Sequence, residues 1–110
     1  MAKGVFLAWT SPVSPDRLAE FDEWYRETHI PQVRAAVPSI SAATRYELID
    51  PAADQPSYRY LTVYELDDAD VPAAAAAMNE SAAAGKIDMT PDIDLAERPP
   101  AAEWYRAYPG

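Results

Sequence analysis

The chain has 110 residues, 18 acidic against nine basic, and a formal net charge of −9. That length suits one domain covering residues 1–110, and an apolar fraction of 49% is ordinary for a globular protein. The negative charge repels phosphate groups, so we expect no nucleic-acid partner and no binding to anionic membrane surfaces. The absence of cysteine excludes disulfides, thiolate catalysis and cysteine-ligated metals.

The first residues lead directly into an apolar segment that is too short for a secretion signal. No apolar run approaches the ~20 residues of a membrane-spanning helix. We therefore expect a soluble, cytoplasmic protein.

The first half of the chain predicts a strand, a helix and a second strand. Residues 5–10 are short and rich in β-forming side chains. Ser14 suits a helix N-cap, and the following proline suits the first helical position. Apolar residues at helical spacing extend that helix to about His29. Pro31 is expected to interrupt it, with 32–37 as a short second piece before a strand at 40–49.

The second half predicts two strands around a helix. Residues 58–66 form the clearest strand, and 104–108 form an aromatic last strand. Asp70 is expected to cap an alanine-rich helix that stops at Gly85. Residues 89–100 are irregular, and the sequence does not say whether they form a lid. The order β-α-β-β-α-β predicts an α+β, ferredoxin-like fold with a four-stranded antiparallel sheet and both helices on one face.

The strands also predict a partner. The first and third strands carry apolar side chains at both even and odd positions, and therefore on both faces of the sheet. Two helices can cover only one of these faces. A second copy of the chain is the simplest cover for the other face. We expect a homodimer, packed sheet to sheet, with an interface of at least roughly 1,600 Å².

The single histidine, His29, is the leading candidate for catalysis, because histidine exchanges protons near neutral pH. It lies four residues after Tyr25, on the stripe of the helix predicted to face the sheet. His29 is interpreted as a general acid and base, and Tyr25 as a residue that orients it or donates to a substrate oxygen. The alternative is structural: a histidine that helps to end the helix and a tyrosine of the core.

Aromatic side chains are the candidates for substrate binding. Tyr46, Tyr60 and Tyr64 share even positions and either line the pocket or fill the dimer interface. Trp9 and Trp104 belong to the first and last strands, where they either form an aromatic wall for a flat substrate or pack in the core.

Charged residues give weaker signals. Arg45 shares a strand face with Glu47, and a solvated pair is the more common arrangement, although a buried arginine could bind a substrate carboxylate. Four acidic residues lie between 88 and 97 without the ligand order of a calcium loop. One histidine and no cysteine make a zinc or non-haem iron site hard to assemble. We therefore predict no metal and no cofactor.

Trp24-Tyr25 followed by Thr28-His29-Ile30-Pro31, in a βαββαβ chain of this length, resembles the EthD-like branch of the dimeric α/β-barrel superfamily. The resemblance implies a pocket between helices and sheet, with His29 as the family's histidine at the helix end. Similar proteins include small decarboxylases, polyketide cyclases, lactone isomerases and cofactor-free monooxygenases.

These observations predict a small cofactor-independent enzyme with an apolar pocket. It would act by proton transfer at His29, in a cyclisation, isomerisation or decarboxylation of a small aromatic, polyketide-like or lactone substrate. Cofactor-free monooxygenation of an aromatic compound is the alternative within enzymes. A non-catalytic dimer that binds a small apolar or aromatic ligand is the alternative outside them.

Overall fold

A computed structural model describes residues 2–109 and contains one four-stranded antiparallel sheet in the order β2-β3-β1-β4. The strands are β1 (Gly4–Thr10), β2 (Ile40–Glu47), β3 (Tyr60–Leu66) and β4 (Ala101–Arg106). Helical residues pack against one face of this sheet. The predicted ferredoxin-like fold is confirmed.

The first helical region is continuous from residue 15 to residue 36. It consists of a 3₁₀ turn (Pro15–Arg17), α1 (Leu18–Trp24), a π-helical segment (Tyr25–His29) and α2 (Ile30–Ala36). The predicted interruption at Pro31 is therefore wrong. In an α-helix the proline ring would clash with the carbonyl four residues earlier. The π segment directly before Pro31 has a wider turn, in which Ile30 N–H donates to the carbonyl of Tyr25, and it accommodates the ring.

The second helix, α3, spans Val71–Ala83 and begins and ends as predicted. The Asp70 carboxylate accepts a hydrogen bond from the Ala73 N–H at 3.1 Å, which satisfies one free donor of the first turn. Gly85 follows the helix with φ of 75°, a left-handed conformation that glycine adopts without strain.

A β-bulge in β2 decides which of its side chains face the helices. Ile40 lies opposite Leu66 but Ala42 lies opposite Glu65, so one extra residue is accommodated between them. A shift of one residue moves every later side chain to the other face. Arg45 therefore lies opposite Thr62, on the helix side of the sheet.

The bulge also corrects the expectation that Tyr46 shares a face with Tyr60 and Tyr64. Tyr46 lies opposite Leu61, on the sheet face that the helices leave uncovered. We call this the open face. Its other apolar side chains on β1 and β3 are Val5, Leu7, Trp9, Leu61 and Val63.

Two clusters of buried side chains fill the space between sheet and helices. The larger lies under α2 and α3, around Tyr64 and Leu66. The smaller consists of Phe21, Tyr25 and Ile93, with Trp24 and Tyr60 packed against it. Within residues 2–109, no helix combines the length and apolar character needed to cross a membrane.

Candidate active site

A cavity of about 290 Å³ lies beside the smaller cluster, between the sheet, the π segment, α3 and the loop before β4. This volume is at the lower end for small-molecule sites. Its lining carries no formal charge when the histidine is neutral and consists of Ala8, Thr10, Trp24, Tyr25, His29, Met78, Ala82, Ile87, Met89, Ile93, Pro100, Ala101 and Ala102. Such a surface suits a small, uncharged, largely apolar molecule.

Residues 86–100 form one wall of the cavity and are held against the core by hydrogen bonds. Val13 N–H donates to the carbonyl of Asp92 at 2.6 Å, and Asp94 N–H donates to the carbonyl of Ser11 at 2.9 Å. Arg17 Nε donates to the Asp92 carboxylate at 2.8 Å. The predicted irregular segment is thus a well-anchored loop.

The acidic residues of this loop have structural partners. The Asp94 carboxylate accepts from the backbone N–H groups of Ala96, Glu97 and Arg98. These bonds, that from Ala96 foremost, lower the pKa of Asp94. Gln32 and Asp88 exchange hydrogen bonds of 2.9 and 2.7 Å. Across residues 2–109, no three histidine, cysteine or acidic side chains are grouped to hold a metal ion.

His29 lies at the end of the π segment with its ring enclosed by two aromatic side chains. It stacks on Trp24, with centroids 4.4 Å apart and planes at 21°, and it meets the ring of Tyr25 edge-on at 5.1 Å. Its Nδ1 is buried without a hydrogen-bond partner. Burial lowers the pKa of His29 to about 4, because the charged form loses its hydration. The imidazole is therefore neutral at pH 7.

Tyr25 and Thr10 supply the other polar group of the cavity wall. Their hydroxyl oxygens are 2.6 Å apart, and both residues are buried. Thr62 is a further hydrogen-bond partner of Tyr25, so a small network of hydroxyl groups lies at this wall of the cavity. Burial raises the pKa of Tyr25, while the bond from Thr10 and the charge of Arg45 oppose that rise. Tyr25 is thus a protonated phenol at neutral pH.

Arg45 lies behind Tyr25 and was not expected there. Its Nη1 donates to the Asp22 carboxylate at 2.9 Å, and its Cζ is 4.4 Å from the centre of the Tyr25 ring. The rings of Phe21 and Tyr60 lie 5.6 and 5.3 Å away. The expected solvated pair with Glu47 is wrong, since the bulge points Arg45 towards the helices. No sequence pattern revealed that bulge.

The other predicted aromatic residues are spread over both sides of the sheet. Trp104 stacks on Phe6 at 4.0 Å, on the helix side, whereas Trp9 lies opposite Leu61 on the open face. The predicted wall formed by Trp9 and Trp104 is therefore wrong, because the two side chains point to opposite faces of the sheet. Neither tryptophan lines the His29 cavity.

The three tyrosines also separate. Tyr64 is fully buried in the larger cluster, with no partner for its hydroxyl. Tyr60 and Tyr46, with Trp9, border a second cavity of about 420 Å³ at the end of the sheet. Only Tyr25 and His29 of the predicted site residues come together at the first cavity, and the binding roles of the others stay predictions.

Comparison with known proteins shows that the fold of this chain resembles that of several solved structures. No protein-family model and no curated protein matches the chain. An EthD family protein from Bacillus halodurans C-125 superposes with a TM-score of 0.51 at 18% identity, covering 96% of this chain and 99% of the other. An EthD-like protein from Ralstonia eutropha JMP134 gives 0.51 at 19% identity, with coverage of 89% and 97%.

A third structure, described as a proposed monooxygenase from Shewanella loihica PV-4, gives a TM-score of 0.52 at 18% identity and covers 100% of this chain and 99% of its own. The likeness of fold to the two EthD proteins thus covers 96% and 89% of the chain. The chain has the ferredoxin-like fold of EthD-like proteins.

Proposed function

We propose that this chain is a small cofactor-independent enzyme that transfers protons through His29. Its substrate is a compact aromatic, polyketide-like or lactone compound held in the 290 Å³ cavity. The observation that carries the proposal is an imidazole, neutral at pH 7, that lines a cavity without charged residues. Since its Nδ1 is buried, Nε2 is the nitrogen that would accept a proton from a substrate.

The low pKa of His29, about 4, limits the kind of proton it can remove. Protonating the imidazole in an apolar cavity is unfavourable unless the substrate becomes an anion beside it. Substrates with an acidic carbon or hydroxyl therefore fit best, such as phenols and ketones with activated methylene groups. A hydroxyl of the Tyr25–Thr10 pair would donate a hydrogen bond to the oxyanion that forms. Cyclisation and isomerisation use both steps. A decarboxylation uses the second, because loss of carbon dioxide itself forms the enolate, which then takes up a proton.

Hydrogen–deuterium exchange of 2-tetralone tests the proposal, since this bicyclic ketone has an acidic methylene group. We expect catalysed exchange in D₂O, and we expect His29→Ala to slow it by roughly 10²–10⁴, the usual contribution of a positioned acid or base. Tyr108→Phe, a change at an exposed tyrosine, is the control. Equal rates for wild type and His29→Ala contradict the proposal. Binding without exchange, unchanged by His29→Ala, supports the alternative of a non-catalytic binder.

Cofactor-free monooxygenation is the second candidate. It is supported by the structural likeness to the proposed monooxygenase and by the apolar lining, which excludes water from an oxygen-reactive anion. The first step is the same removal of a proton by His29. Oxygen uptake with electron-rich phenols, and incorporation of ¹⁸O from ¹⁸O₂ into the product, separates this reaction from proton transfer alone.

We further propose that the chain forms a cytoplasmic homodimer through the open face. The support is the row of apolar side chains on β1 and β3 that no helix covers, together with exposed Tyr46 and Tyr105. An apolar surface of this kind is typical of a protein interface. In a dimer, Trp9, Tyr46 and Tyr60 would border a cavity at the interface.

A further inference from the structure

Arg45 is a partly buried cation among aromatic rings, and it has no role in the proposed reaction. Only Nη1 has a carboxylate partner, the Asp22 oxygen at 2.9 Å, and the Asp22 side chain is 38% exposed against 22% for Arg45. Nε and Nη2 are buried without partners. The positive charge is therefore balanced on its outer side and faces aromatic rings on its inner side.

Tyr25 connects this cation to the cavity. Its ring face receives the guanidinium at 4.4 Å, and its hydroxyl is bonded to Thr10, which lines the cavity. A cation over an aromatic face attracts the ring's electrons. In a phenol this makes the hydroxyl proton more acidic and the hydroxyl a stronger hydrogen-bond donor. The effect can reach the cavity because Tyr25 and Thr10 both line it and each hydroxyl has one proton to donate.

We propose that Arg45 is a positioning residue that acts through the ring of Tyr25, making the Tyr25–Thr10 pair a strong donor to an oxygen of the cavity ligand. This inference rests on the proposed function, because it assumes a ligand in the cavity. It narrows that ligand to planar compounds with a carbonyl, enol or phenol oxygen. Arg45 on β2 and Arg59 before β3 both favour the ionised form of Tyr25, and His29 on its own helix is neutral. The Asp22 carboxylate lies on the outer side of Arg45 and has the opposite sign.

The first test measures Tyr25 alone, with ¹³Cζ-labelled tyrosine and NMR. Tyr25→Phe assigns its resonance among the seven tyrosines. We expect Arg45→Met to move the start of the Tyr25 titration upwards by about one pH unit, and Arg45→Lys to retain most of the wild-type behaviour. Arg45→Gln replaces the Met variant if that protein does not fold. An unchanged Tyr25 titration in both neutral variants overturns the inference.

The second test uses 2-naphthol and naphthalene, which differ only in the oxygen. We expect Arg45→Met to weaken binding of 2-naphthol about tenfold and to leave naphthalene unaffected. In the Tyr25→Phe background the Arg45 change should have no further effect on 2-naphthol. Equal losses for both probes, or a loss that persists in Tyr25→Phe, mean that Arg45 only supports the fold, and overturn the inference. If neither probe binds the wild-type protein, the proposed function fails, and the NMR titration alone decides whether Arg45 acts on Tyr25.

Discussion

His29 stacks on Trp24, five residues before it, with ring centroids 4.4 Å apart. In a regular α-helix, side chains five residues apart point about 140° away from each other. The π segment has more residues per turn and brings the two rings onto one side of the helix. The widened turn that accommodates Pro31 is therefore also what encloses the imidazole.

The enclosure of His29 predicts a loss of stability in mild acid. Its pKa is about 4 in the folded protein and about 6.5 in the unfolded chain, so the unfolded state binds the proton first as the pH falls. The contribution is complete above pH 6.5 and is lost towards pH 4, by about 3 kcal/mol in total. Urea unfolding between pH 7 and pH 4.5 measures it. His29→Phe should remove this part of the pH dependence of the unfolding free energy and leave the part due to the carboxylates. If the unfolding free energies of both proteins depend on pH in the same way, His29 is not a buried, neutral imidazole.

Removing the stacked indole should make His29 easier to protonate. We expect Trp24→Leu to admit water to the imidazole and to raise the pKa of His29 from about 4 towards 6.5. The ring protons of this single histidine report it directly by NMR. Trp104→Leu is the matched control, since Trp104 stacks on Phe6 in the other cluster. If the pKa of His29 stays near 4 in Trp24→Leu, side chains other than Trp24 exclude water from the imidazole.

Filling the cavity should weaken ligand binding without disturbing the sheet. Ala8 lies on the cavity floor, opposite Thr62 and Ala102. Ala8→Leu adds volume there, and we expect it to weaken 2-naphthol binding by about tenfold or more. Ala35→Leu, at an exposed helical position, is the control. Undiminished binding in Ala8→Leu places the ligand elsewhere, with the 420 Å³ cavity at the end of the sheet as the next candidate.

A charge on the open face should separate the proposed dimer. Val63 lies at the centre of β3 on that face. Val63→Lys would bury an unpaired ammonium in the interface, and we expect the dissociation constant to rise about a hundredfold. Sedimentation equilibrium measures the dissociation constant of this variant and of the control Ala76→Lys, which changes an exposed position of α3. If wild type and both variants are monomers, the homodimer proposal is wrong.

The features that local chemistry determines could be predicted from the sequence. The order of strands and helices follows from residue patterns, and Asp70 and Gly85 mark the ends of α3 through their own side-chain and backbone properties. Tyr25 and His29 come together at the cavity as their four-residue spacing predicts, since such a spacing keeps two side chains on one side of a helix even in the wider π turn.

The features that depend on one extra residue could not be predicted. The bulge between Ile40 and Ala42 exchanges the faces of Arg45 and Tyr46, and nothing in the strand's composition marks it. The π segment likewise inserts a wider turn where the proline suggested a break. The partial burial of Arg45 and the exposure of Tyr46 follow from pairing with β3, which lies more than a dozen residues away in the chain.

The anchored loop of residues 86–100 has a consequence for how this cavity selects its occupant. Since hydrogen bonds to Ser11, Val13 and Arg17 already hold that wall in place, little of the chain must become ordered when a molecule binds. A preorganised wall cannot adapt to different shapes. Discrimination among ligands should therefore follow their rigid outline, with flat rings of the right width accepted and flexible chains of equal volume rejected.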